Sequence, residues 1–107
     1  MAESIPSAQV KTIVFACEAG MGSSLMGVNS LKRKLKKARV DVKVIHKPAR
    51  ALPKGTQVVV VHKGLVNVVR RRAPDAVVVA FNHFLNDPVF DAIVQAFVDN
   101  TEIVQAG

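Results

Sequence analysis

The chain has no tryptophan, no tyrosine and one cysteine, and it carries 8 acidic residues against 15 basic ones. With a single thiol no internal disulfide can form, which excludes the disulfide framework of a small secreted domain and fits a reducing, cytoplasmic setting. No apolar run approaches the roughly 18–20 residues that span a bilayer, so membrane insertion is not expected. The N-terminus "MAESIPSAQVK" lacks the long apolar centre of a secretory signal. Without tryptophan or tyrosine there is little to stack on nucleobases, and no zinc-finger or other nucleic-acid motif occurs. The net charge of +7 still asks for an acidic partner. Its bases concentrate in "LKRKLKKAR" (Leu31 to Arg39) and "RRR" (Arg70 to Arg72). A solvated helix face is the plain reading, a docking surface for an acidic protein the alternative.

What is present is apolar and periodic. Half of the 107 residues are hydrophobic, enough for one core and hardly for two. Residues 1–10 read as a polar N-terminal arm and 11–107 as a single domain. "KTIVFA" (Lys11 to Ala16) is a short branched apolar run, hence a buried strand. A helix then starts at Ser23 or Ser24 with a serine as N-cap. Its inward stripe is Leu25, Val28, Leu31, Leu35 and Ala38. Gly27 within it costs about 1 kcal/mol against alanine, which close packing of helix on sheet would explain. "DVKVIH" (Asp41 to His46) alternates as an edge strand does, and "VVVVH" (Val58 to His62) is a central strand covered on both faces. A short helix follows with Leu65, Val66 and Val69 inward, ended by Pro74. "AVVVAF" (Ala76 to Phe81) is a fourth strand. The last helix opens at Pro88 with Val89, Ile93, Ala96 and Phe97 inward.

Strands alternating with helices predict an α/β three-layer sandwich with a parallel sheet and right-handed crossovers. Ligands of such sheets bind beyond the carboxyl ends of the strands. Cys17 follows the first strand, so it belongs at that edge, with the loops after His62 and around "NHFLNDP" opening towards it.

The loop "CEAGMGSS" joins strand to helix. Gly20 and Gly22 permit positive φ, so successive N–H groups can converge into an anion-binding nest, and the helix N-terminus adds its dipole. Both would favour thiolate over thiol and lower the Cys17 pKa. A cysteine at the head of such a loop, with serines at the helix start, points to a nucleophile rather than a structural thiol.

Two families share this arrangement. Low-molecular-weight tyrosine phosphatases use C-x5-R-[ST]; here Ser23 stands in the arginine's place and Ser24 matches the hydroxyl residue. The loop more closely resembles that of the enzyme IIB domain of the sugar phosphotransferase system (PTS), mannitol-type branch. The likeness runs through "CEAGMGSSLMG", "LKRKL", Leu52 and Pro53, "VVVVH" and "NHFL", from about Lys11 to Asp99, with "AGMGSS" its most specific part.

The resemblance implies a four-stranded parallel sheet of order 2-1-3-4 with three helices, of the Rossmann-like, phosphatase-loop type. It also implies a phosphotransferase reaction. Cys17 would accept a phosphoryl group from a phosphohistidine on enzyme IIA and pass it to a sugar, a mannitol-like polyol, bound by membrane enzyme IIC. The backbone of Glu18, Ala19, Gly20, Met21, Gly22, Ser23 and Ser24 would hold the phosphate, with the Ser23 and Ser24 hydroxyls donating to it. His62 is a second residue that could orient phosphate. No cofactor is implied, and His46 and His83 lack metal-ligand companions.

Glu18 stands where that family usually has aspartate, and Lys63 where arginine is common. The mannitol branch is often fused to its membrane domain, so a free-standing subunit, an excised domain and a regulatory relative are all compatible with the chain. Two alternatives to carriage stand beside it. One is a non-catalytic regulatory or binding module. The other is a divergent phosphatase, for which Asp87 and Pro88 sit about where that family keeps its general acid. An arsenate reductase is disfavoured, since no second cysteine can resolve an adduct.

Overall fold

The run Val58–Val61 is fully buried, four consecutive branched residues that no solvent-facing strand would carry. The sheet is built outward from it. The computed structural model describes residues 3–17, 23–83 and 87–105. In chain order the elements are β1 (Ser4–Pro6), β2 (Thr12–Cys17), α1 (Ser23–Lys37), β3 (Lys43–Pro48), β4 (Val58–His62), α2 (Val66–Arg72), β5 (Val77–Phe81), α3 (Pro88–Val98) and β6 (Glu102–Val104).

Strands β2 to β5 form one sheet in the order β3-β2-β4-β5, all neighbours parallel. Counting only the four strands read from the sequence, this is second, first, third, fourth. The first strand reaches one residue further than expected and includes Cys17. The edge strand lies two residues later than expected, at Lys43–Pro48.

Alternation along the strands sends two different side-chain sets to the two faces. One face packs Ile13, Phe15, Val60, Val79 and Phe81 against α1 and α3. The other packs Ala16, Val59, Val61, Val78 and Ala80 against α2 and the single turn at Ala49–Ala51. The stripe on α1 holds at Val28, Leu31 and Leu35, but Leu25 is exposed. At 100° per residue Leu25 falls about a quarter turn off the line through those three. Gly27 explains how closely α1 lies on the sheet, since a Cβ there would stand 2.6 Å from Phe15 Cζ. Close packing was the expected reason for a glycine here.

Two features had no sequence signal. Phe90 on α3 is fully buried and joins Phe15 and Phe81 in an aromatic cluster, with centroids 5.2–6.2 Å apart. The stretch read as a polar arm also contributes a strand: β1 pairs antiparallel with β6, Ile5 opposite Ile103. Ser7 is buried behind it, its Oγ donating to the Ala96 carbonyl at 3.1 Å. Three-residue strands are too short to show alternation.

Candidate functional site

The carboxyl end of the sheet is where the chemistry-bearing side chains meet. Cys17 is the last residue of β2 and is buried. It lies opposite Pro48 of β3, and its Sγ donates to the Lys47 carbonyl at 3.6 Å. On the other side, Ala16 pairs with Val61 of β4, so the next step of that register sets His62 level with Cys17. The His62 ring packs edge-on against Phe81, centroids 5.7 Å apart. Its Nδ1 accepts from the Gly64 N–H at 3.2 Å, which orients the ring at the start of the turn that follows β4. Cys17 and His62 thus share the α1/α3 side of the sheet's carboxyl edge.

Residues 18–22 lie outside the described residues, as do the Ser23 and Ser24 side chains. The assignments of Glu18, Ala19, Gly20, Met21 and Gly22, and of the two hydroxyls, therefore fall outside what the structure describes, and so does the phosphatase-loop geometry. Helix α1 does begin at Ser23, directly beyond that loop.

The Cys17 thiol corrects one expectation. Burial pushes its pKa up from the ordinary value rather than down. Desolvation disfavours the thiolate, and donation to the Lys47 carbonyl favours the protonated form as well. The lowering expected from the loop backbone and helix dipole is opposed by the described surroundings.

Asp87 is the other well-defined group. It is 2% exposed and caps α3, with Oδ1 accepting from Val89 N–H at 2.9 Å. Oδ2 accepts from Asn82 and His83 N–H at 2.7 and 3.0 Å. Burial raises its pKa, but the three backbone donors and nearby His83 outweigh that, and the net shift is downward. A carboxylate so held is a cap, and it ties both ends of the 82–87 loop together beside the site. It is poorly suited to act as a general acid, which needs a proton to give near neutral pH.

Sequence reasoning missed one partner of the thiol. The Lys47 carbonyl as thiol partner has no sequence signal, because it depends on strand pairing. His46 packs edge-on to Phe15 at 6.4 Å, and its buried Nε2 has no hydrogen-bond partner among the described residues. Among the described residues, no three His, Cys, Asp or Glu side chains gather as a metal site would require.

Comparison with known proteins agrees with this geometry. The model of the family described as "PTS system, Lactose/Cellobiose specific IIB subunit" matches residues 12–96, from the start of β2 into α3. The mannitol-specific EIICB component of Geobacillus stearothermophilus is 37% identical over 87% of this chain, which covers 20% of that protein. The EIICB component of Bacillus subtilis (strain 168) is 38% identical over 80% of the chain and 18% of its own length. The mannitol-specific EIICBA component of Buchnera aphidicola is 36% identical over 86% of the chain and 15% of its own length. The chain thus spans about a fifth of the length of these relatives or less. A parallel sheet with a lone cysteine ending its first long strand, matched by the family model across that whole sheet, places this chain in the PTS IIB subunit family.

Proposed function

We propose that Cys17 is a phosphoryl carrier, taking the group from a phosphohistidine of enzyme IIA and passing it to a sugar hydroxyl held by membrane enzyme IIC. The observation that carries this reading is the position of Cys17 at the carboxyl end of β2, where α1 begins beyond a glycine loop, in a chain of the IIB family. The relatives' names favour a mannitol-like polyol as the sugar, and their fused IIC parts favour action at the cytoplasmic face of a membrane. No described helix is itself long and apolar enough to cross one.

In the first step the thiol sulfur attacks phosphorus as the N–P bond of the phosphohistidine breaks. The thiol proton leaves for the departing imidazole, so charge and atoms balance. The Cys17 thiol itself supplies the proton this exchange needs. In the second step the sugar hydroxyl attacks phosphorus, the S–P bond breaks, and the hydroxyl proton is lost as sulfur regains one. Backbone N–H groups of residues 18–24 and the Ser23 and Ser24 hydroxyls hold the phosphoryl oxygens, and His62 lies beside the sulfur's strand end. Such a transfer depends on positioning and charge stabilisation. Exposed Leu25 and Met26, next to this loop, suit the docking of a protein donor.

The Asp87 carboxylate, occupied by backbone donors and held ionised by them, disfavours the phosphatase alternative, as does Ser23 in place of a bidentate arginine. The test is incubation with phosphorylated enzyme IIA followed by mass spectrometry. One label at Cys17, absent from Cys17→Ser, is expected. Full labelling of Cys17→Ser on a histidine such as His62 would overturn the assignment, and no label at all would favour a binding module. Sustained aryl phosphate turnover that Asp87→Asn abolishes would make the protein a phosphatase.

A further inference from the structure

Exposed bases gather along one edge of the sheet. They surround the edge strand β3: Lys36 on α1, Lys43 and Lys47 on the strand, Arg50 in the turn after it, and Arg71 and Arg72 at the end of α2. Arg50, Arg71 and Arg72 line one open groove together with Val68. None of the six has an ion-pair partner among the described residues; the pair that does form, Lys34 with Asp91 at 2.9 Å, lies between α1 and α3. Of the exposed carboxylates among the described residues, Glu3, Asp91, Asp99 and Glu102 lie with α3 and the β1–β6 pair, while Asp41 and Asp75 precede β3 and β5 at the amino end of the sheet. The asymmetry is one of placement, beyond the net +7.

The chemistry of this edge selects its partner. A specific protein interface has an apolar centre and is depleted in lysine. The exposed large apolar side chains lie elsewhere, Leu25 and Met26 at the start of α1 and Val98 and Val104 on the acidic side. None of the described phenylalanines stands among the six bases to stack on a nucleobase. Long, unpaired cations without an apolar centre fit a broad, diffuse anionic plane. We propose that the β3 edge rests on the anionic surface of a lipid bilayer, its lysines and arginines against phosphate head groups. The proposal builds on the reading above, in which the acceptor is held in a membrane. The same edge adjoins the reacting sulfur, since Lys47 supplies both a head-group cation and the carbonyl that holds the Cys17 thiol. Docking by β3 therefore brings the strand of Cys17 close to the bilayer.

Each cation near such a surface changes partitioning about fivefold, and the attraction decays within roughly one Debye length of about 8 Å at physiological salt. The experiment is co-sedimentation of the full chain with vesicles of phosphatidylglycerol and phosphatidylcholine, against phosphatidylcholine alone, over a salt series. Binding to the anionic vesicles only, weakening steeply with salt, is expected. The triple variant Arg50→Gln/Arg71→Gln/Arg72→Gln should lose about a hundredfold in partitioning and Lys43→Gln/Lys47→Gln about twenty-five-fold. Lys34→Gln should bind as wild type does. Far-UV circular dichroism checks that each variant is folded. Equal binding to both vesicle types, no binding to anionic vesicles at low salt, or wild-type binding by both multiple variants would overturn the proposal. Binding of duplex DNA or RNA as tight as that of the anionic vesicles would overturn the lipid assignment. Cys17→Ser should sediment like wild type, so the phosphoryl-carrier reading can fail while this one holds, and the reverse.

Discussion

The two faces of the sheet are built from different materials. Towards α1 and α3 lie Phe15, Phe81 and Phe90 with Ile13, Leu31, Leu35 and Ile93, interlocked large side chains. Towards α2 there are only alanines and valines at the centre, covered by a seven-residue helix and a single turn. The thick face carries Cys17, His62 and Asp87 at its rim. Large interlocked rings fix strand ends more tightly than small residues under a short helix, because close-packed interiors transmit displacement. The difference teaches that the candidate site's edge is braced from one side.

Removing the brace should have the largest effect. Phe15→Ala leaves a cavity between α1, Phe81 and Phe90 and should cost about 3–5 kcal/mol in denaturant unfolding. It should also slow phosphorylation of whatever protein remains folded, since Phe15 is two residues from Cys17 on the same face. Overfilling the same contact comes next. Gly27→Ala places a methyl 2.6 Å from Phe15 Cζ and should cost about 1–3 kcal/mol, even though alanine is the better helix former. A stabilised variant would mean that α1 is free to move off the sheet.

On the thin face, Val69→Ala should cost about 1.5 kcal/mol from lost burial alone. It should leave the phosphorylation rate unchanged; a slowed rate would show that both faces position the thiol. At the rim, Asp87→Ala should cost about 1 kcal/mol by removing the α3 cap. Because the folded carboxyl is held below its ordinary pKa, its stabilisation is present above about pH 4 and lost as pH falls through the folded value. The gap between wild type and variant should therefore close in acid, and a gap independent of pH would show that charge plays no part. The smallest effect is on the thiol. Burial raises the Cys17 pKa, so alkylation of the native protein should rise at higher pH than that of the unfolded chain. A native midpoint at or below the unfolded one would mean that the loop backbone outweighs burial.

Much of this was legible in the residues. The Val58–Val61 run marked the central strand, Pro88 marked the start of α3, and Gly27 inside an apolar stripe marked a close approach. Cys17 before two glycines marked the candidate site. Each of these is a local signal, carried by periodicity, a fixed φ or a missing side chain. The alternation of strands and helices was enough to require a parallel sheet.

Other features depend on residues far apart in the chain. Phe90 became core, and Leu25 did not, because the packing of α1 and α3 over the sheet decides which flank of a helix is covered. The pairing of β1 with β6 joins segments nearly a hundred residues apart and leaves no pattern in either. The thiol and the carboxylate make the same point in electrostatics. The sequence by itself determined which groups stand at the edge. Tertiary structure decided the direction in which each titrates, because desolvation and backbone donors come from whichever strands and loops lie alongside, and those neighbours exist only once the chain has folded.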